Sequence, residues 1–233
     1  MKNKKHLFFD MDMTIAPARQ PITPEMFELL SSLEQDIIIV SGQMTEKIAW
    51  QSDDFPALYL GNNGNHAIEI DGSLIWQNPD LTDAEQVEIM KYIATLTAAL
   101  PHTPNSDWNP VENRGSQITF SPIGNTAPVD IKMAYDPDRK KREALMEEFP
   151  FESETVMLKI GGSTSLDFFS KNGHKGVNVA RLIELKGWNK DDCIYYGDGL
   201  YPGGNDELVI GVIDTVPVDS DKDTFKKLSA IYT

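Results

Sequence analysis

The sequence predicts an α/β fold in which a doubly wound parallel sheet is interrupted by an inserted α+β module. Three observations carry this. Short, nearly continuous apolar runs recur near both ends of the chain, at LFF (7–9), IIIV (37–40), ALYL (57–60), CIYY (193–196) and VIGVI (209–213). Strands buried on both faces of a parallel sheet read this way. Amphipathic helical segments alternate with these runs, and the middle of the chain changes to hairpin-like alternation.

The elements follow in order. Thr23 caps a helix with Pro24 in its first turn, and Met26, Leu29, Leu30 and Leu33 supply one apolar face. After Gly176, Val179, Leu182 and Ile183 do the same for a later helix. Between them, HAIEI-DG-SLIW alternates around Asp71-Gly72, the signature of a two-residue hairpin turn. Thr82 with Glu85 forms a capping box ahead of Ile89, Ile93, Leu96 and Leu100. QITFS (117–121), TVMLKI and TSLDFF (155–169) read as further strands, with a helix started by Asp136-Pro137 between them. These boundaries give a Rossmann-like core at 1–79 and 172–233, and an inserted module at 80–171.

Composition narrows the function classes. With 40% hydrophobic and 24% charged residues in 233, the chain can bury a full core. The basic start MKNKK is followed by HLFF and then at once by aspartate, so no secretory signal is expected. No apolar run approaches the roughly 18 residues of a membrane span. Cys193 is the single cysteine, which excludes an internal disulfide and suits a reducing cytoplasm. A formal net charge of −15 repels nucleic acid and anionic lipid, so neither is expected as a partner. It equally disfavours phosphorylated ligands unless a metal ion and local basic residues reverse the field.

Three apolar runs end in chemistry-bearing residues: LFF at Asp10, IIIV at Ser41, and IYY, after Gly197, at Asp198. Ligands of open parallel sheets bind beyond the carboxyl ends of the strands, where these endings converge. Asp10 and Asp12, two apart, point the same way if extended geometry persists. A calcium loop is excluded, because Ile15 stands where a glycine is needed and the required later glutamate is absent. Magnesium takes a few carboxylates and keeps places for water and phosphate, and Asp10, Asp12 and Asp198 would supply such a site.

DMDMT (10–14), Ser41, Lys175 and GDGLYPGGND (197–206) resemble, in order, the four motifs of the haloacid dehalogenase superfamily of phosphotransferases. PARQ (17–20), NRG (113–115), SPIG (121–124), GGSTSLDFF (161–169) and PGGND (202–206) resemble its phosphomannomutase branch. The resemblance implies that Asp10 attacks phosphorus and that Asp12 moves the proton. It implies that Asp10, Asp198 and the Asp12 backbone carbonyl hold Mg2+, while Ser41 and Lys175 bind phosphoryl oxygens. Asp206, preceded by Asn205, is left between tethering its loop and standing behind the metal ligands. The inserted module would be the cap that chooses a sugar phosphate, through Arg114, Lys132, Ser165 and Asp167, with Arg19 from PARQ. A homodimer through the cap is also implied.

Departures from the branch pattern keep alternatives open. Asn125 stands where an arginine usually follows SPIG, Lys132 replaces another arginine, and Ser41 and Met13 replace glycines. Lysine is a point charge and asparagine carries none, so the grip on a distal phosphate weakens. The readings are a phosphomannomutase-like phosphotransferase, a sugar-phosphate phosphatase using water as acceptor, and a catalytically silent sugar-phosphate binder.

Overall fold

A computed structural model describes residues 4–232, so the first three residues of the basic start lie outside the described residues. The chain divides into two compact units, Met1–Asn78 with Gly173–Thr233, and Pro79–Asn172.

The first unit is built on a seven-stranded sheet in the order β11-β10-β1-β2-β3-β4-β5. These strands are β1 (His6–Asp10), β2 (Asp36–Val40), β3 (Leu58–Gly61), β4 (His66–Ile68), β5 (Leu74–Gln77), β10 (Cys193–Gly197) and β11 (Asp214–Pro217). The run from β11 to β3 is parallel, and the β4–β5 hairpin is added antiparallel at one edge. Alternation along β1 sends Leu7 and Phe9 to one face and Phe8 to the other. The first face packs on α1 (Pro24–Ser31), α2 (Thr45–Gln51) and α7 (Asp221–Tyr232), through Met26, Leu30, Ile48 and Leu228. The second packs on α6 (Lys175–Lys186), through Val179, Leu182 and Ile183. Helices therefore cover both faces, as the doubly wound pattern requires.

The second unit has a four-stranded antiparallel sheet, β6 (Val111–Asn113), β7 (Gln117–Phe120), β9 (Leu166–Ser170) and β8 (Val156–Ile160). Ile118, Phe120, Leu166 and Phe168 face Ile89, Ile93 and Leu96 of α3 (Asp83–Ala99). The Thr82–Glu85 capping box starts that helix, and Thr23 caps α1 by accepting from the Met26 amide.

Several expected elements differ. VIGVI is not a strand. Glu207–Val209 is a 3-10 turn that plugs Val209 into the core, Gly211 turns the chain at φ 86°, and the edge strand begins only at Asp214. Asp71-Gly72 sits within a longer connection between Ile68 and Leu74, closed by the Glu69 amide on the Ser73 carbonyl. Asp136-Pro137 starts no helix. It separates α4 (Val129–Tyr135), which the sequence reading missed, from α5 (Lys140–Glu148). Asp136 instead reaches forward to accept from the Lys141 amide at 2.9 Å and so serves the first turn of α5. Leu33 and Leu100 lie just beyond the ends of their helices.

Candidate active site

Parallel pairing puts the strand ends side by side. Asp10 pairs with Val40 in register, so Ser41 follows one step beyond, while Phe9 pairs with Tyr196 just ahead of Gly197 and Asp198. The chain leaves β1 in a tight turn. The Met13 amide donates to the Ala16 carbonyl, and the buried Thr14 hydroxyl accepts from the Asp198 amide at 3.1 Å, tying two site loops together.

At the centre lies Lys175, the first residue of α6 and 1% exposed. Its Nζ donates to Asp10 Oδ1 at 2.5 Å and to Asp206 Oδ1 at 2.6 Å, and lies 3.4 Å from the Tyr195 hydroxyl. Burial works against its charge, but the Asp10 and Asp206 carboxylates more than offset it and hold the ammonium above the ordinary lysine range. Asp10, Asp198 and Asp206 each offer a carboxylate oxygen within 4.8 Å of the others. Burial drives the Asp10 carboxyl well above its usual range, against Lys175 and with help from Asp206 and Asp198. Burial, then the charge of Asp206, pushes Asp198 up to about 7. Ionised together, three carboxylates outnumber the one ammonium in a buried place, and that surplus of negative charge is what Asp10 and Asp198 resist by holding their protons more firmly. That surplus, with oxygen-only donors, fits a divalent hard cation.

Asp12 stands apart from this cluster. Its Oδ1 accepts from the Arg19 amide at 2.6 Å and Gln51 Nε2 at 2.7 Å, and its Oδ2 from Gln43 Nε2 at 2.8 Å. The third carboxylate within reach of the other two is therefore Asp206 and not that of Asp12. Gln43 also donates to Gln51 Oε1 at 3.0 Å, which fixes both amides in one orientation. Ser41 is buried, and its hydroxyl accepts from the Gln43 amide at 3.2 Å. Asn205 packs its Oδ1 against Gly199, and Asp206 Oδ2 accepts from the Gly199 amide at 3.0 Å. Asp206 thus tethers its own loop and grips Lys175 as well.

The remaining predicted residues lie in the second unit. Arg114 is ion-paired to Glu112 at 2.6 Å. Lys132 is buried and donates to the Asn125 carbonyl at 2.9 Å, while Asn125 donates to the Pro110 and Thr119 carbonyls. Ser165 and Asp167 converge over Gly161, where any Cβ would come within 2.4 Å of both side chains. Across the strands Thr119, Asp167 and Lys159 stand in one row.

Sequence reasoning missed Gln43, Gln51, Thr14, Tyr195 and Lys159. Gln43 and Gln51 carry no charge to draw notice, and Tyr195 reads as one more apolar strand residue. Lys159 had a signal, a lone charge at an alternating position in VMLKI.

A family model for eukaryotic phosphomannomutase matches residues 30–233. A probable phosphomannomutase of Caenorhabditis elegans is 27% identical over 97% of this chain and 94% of its own. Human phosphomannomutase 1 is 24% identical over 99% and 93%. Among solved structures, a haloacid dehalogenase-like hydrolase from Bacillus subtilis superposes with a TM-score of 0.68 at 10% identity, covering 97% of this chain and 99% of that one. An IMP-nucleotidase of Plasmodium falciparum bound to IMP gives 0.68 at 15% identity, over 99% of this chain and 67% of that one. These structural likenesses carry the fold. The extent of the family match carries the relationship, and the chain belongs to the eukaryotic phosphomannomutase family.

Proposed function

We propose that this protein transfers a phosphoryl group on a sugar phosphate through an aspartyl-phosphate, with magnesium as cofactor. The observation that carries this reading is Asp10, buried at the end of a central strand, with its Oδ1 held 2.5 Å from Lys175 Nζ inside a cluster of carboxylates. A nucleophile so placed is fixed in direction and shielded from water.

A carboxylate oxygen of Asp10 forms the bond to phosphorus as the sugar oxygen–phosphorus bond breaks. The departing oxygen takes its proton from Asp12. In the second half, Asp12 takes the proton of the incoming hydroxyl, whose oxygen bonds to phosphorus as the bond to Asp10 breaks. Lys175 and Ser41 neutralise and orient the phosphoryl oxygens. Asp10, Asp198 and the Asp12 backbone carbonyl would hold magnesium, which supplies positive charge against the transferring group. In the inserted unit, Ser165 and Asp167 offer hydroxyl-binding groups, and Arg19 of the PARQ turn is a further substrate-side cation.

The acceptor separates two activities. In a mutase it is the free hydroxyl of a sugar monophosphate, which becomes a bisphosphate and turns over before its other phosphoryl group passes to Asp10, so the phosphate at the far end must be gripped in each half. Water is the alternative acceptor, and three observations bear on it: Arg114 already pairs with Glu112, Lys132 donates to a backbone carbonyl, and Asn125 is neutral and buried. Incubation with magnesium and mannose 1-phosphate, with and without a hexose bisphosphate, decides between them. Mannose 6-phosphate without free phosphate supports the mutase, and phosphate release at every turnover supports the phosphatase. No turnover of any sugar phosphate would sink both.

A further inference from the structure

Beneath the site, β10 carries a residue for which the proposed reaction has no role. Tyr195 is fully buried, yet its phenolic oxygen reaches up to donate to Asp206 Oδ1 at 2.6 Å. The same oxygen lies 3.4 Å from Lys175 Nζ. A carboxylate accepts and does not donate here, so the tyrosine proton points at Asp206 and its lone pairs face Lys175. Burial and the nearby Asp206 charge keep that proton on, holding the phenol well above its ordinary range.

The consequence falls on Asp206. Its Oδ1 accepts from both Lys175 and Tyr195, and its Oδ2 accepts from the Gly199 amide. Three donors occupy the carboxylate, although it lies among the oxygens that could share a cation with Asp10 and Asp198. Close packing adds to this. A Cβ on Gly197 would sit 2.4 Å from Asp206 Oδ2 and 2.8 Å from the Tyr195 ring, so strand, ring and carboxylate are already in contact.

Resting on the phosphoryl-transfer reading above, we propose that Tyr195 is a positioning residue. Its hydroxyl commits Asp206 to gripping Lys175 and withholds that carboxylate from the metal. Two consequences of opposite sign follow when the hydroxyl alone is removed. Lys175 is less well fixed against the phosphoryl group, so turnover falls. Asp206 Oδ1 keeps Lys175 but loses its second donor, and the lone pair released can turn to the place shared by Asp10 and Asp198, so magnesium binds more tightly. A merely structural tyrosine would lower both or neither.

The test is Tyr195→Phe, which keeps the ring and deletes the oxygen. Magnesium affinity of the resting full-length protein, by calorimetry without substrate, is expected to tighten about threefold or more. At saturating magnesium kcat is expected to fall about tenfold with KM within about twofold, the loss of one buried hydrogen bond to a charged group. Unchanged or weakened magnesium binding overturns the proposal, as does unchanged kcat. A second arm does not depend on how that variant folds. Asp206→Asn should leave magnesium affinity within about twofold of wild type, and a tenfold loss would make Asp206 a metal ligand and overturn the idea. The calorimetry reads the resting protein, so failure of the phosphoryl-transfer reading would show separately, as absent wild-type turnover alongside an intact binding shift.

Discussion

Each unit of the molecule has an almost fully buried cation set against carboxylate, Arg142 in one and Lys175 in the other, and the two have opposite characters. In the inserted unit, Arg142 is 1% exposed and donates through Nε to Asp136 Oδ2 at 2.7 Å. Its Nη1 serves the carbonyls of Gly161, Gly162 and Ser165. One positive charge meets one negative charge, and backbone acceptors take further donors. In the core unit, Lys175 faces Asp10 and Asp206, with Asp198 close behind. There the charges do not balance, and the cluster keeps unspent negative potential. A balanced pair holds a loop in shape, whereas an unbalanced one holds a place for something else.

The largest expected effect tests the unbalanced pair. Asp10→Asn should lower turnover at least about a thousandfold, because an amide cannot form the aspartyl-phosphate. It should not lower thermal stability without metal, because it removes one of three crowded negative charges while Asp206 still answers Lys175. A lowered melting temperature would mean that the cluster is a stabilising network, like its counterpart. Asp136→Asn is the mirror experiment. It leaves Arg142 buried without its counter-charge and should cost about 3–5 kcal/mol of stability by denaturant unfolding. A loss under about 1 kcal/mol would erase the distinction between the two pairs.

Asp12 is a third arrangement, a carboxylate that accepts from two glutamine amides and the Arg19 backbone amide. Gln51, fully buried, and Gln43 direct their amides at its two oxygens. Gln51→Leu removes one donor and should lower kcat about tenfold while KM changes little, if the clamp aims the proposed proton-moving group and takes no part in substrate binding. An equal rise in KM would place Gln51 in substrate binding instead.

Much of this was readable from the sequence, and the limit has a physical cause. Asp10, Ser41 and Asp198 each close an apolar run, and strand burial plus parallel topology suffices to gather such endings. Lys175 came from motif likeness; its pairing with Asp206, 31 residues away, is settled by packing between a helix start and a loop. VIGVI misled because a β-branched apolar run reads alike whether it is a strand or a plug, and Gly211 turned it. Gln43, Gln51 and Tyr195 gave no signal, because an amide or hydroxyl earns its role from whom it faces. The inserted unit was legible in its long helix and three of its strands, while β6 and α4 were missed. Its polar row of Thr119, Asp167 and Lys159 depends on register, which no single strand reveals.

Met13 gives the smallest effect and the cleanest account of a departure from pattern. It stands where the resemblance expects glycine, directly after Asp12, and its backbone is left-handed at φ 60°. Side chains with a Cβ pay about 1 kcal/mol for that conformation, and glycine pays almost none. The turn itself is enforced by the Met13 amide on the Ala16 carbonyl at 2.8 Å and by Thr14 holding the Asp198 amide. The chain therefore accepts local strain beside Asp12, the proposed acid–base group. Met13→Gly should relieve it and raise stability, offset in part by the greater freedom of glycine in the unfolded chain, for a net gain under about 1 kcal/mol. Turnover should stay within about twofold if Gln43, Gln51 and the Arg19 amide fix Asp12, because those contacts survive the substitution. A large loss of turnover with stability unchanged would transfer that task from the glutamine clamp to the methionine-bearing turn.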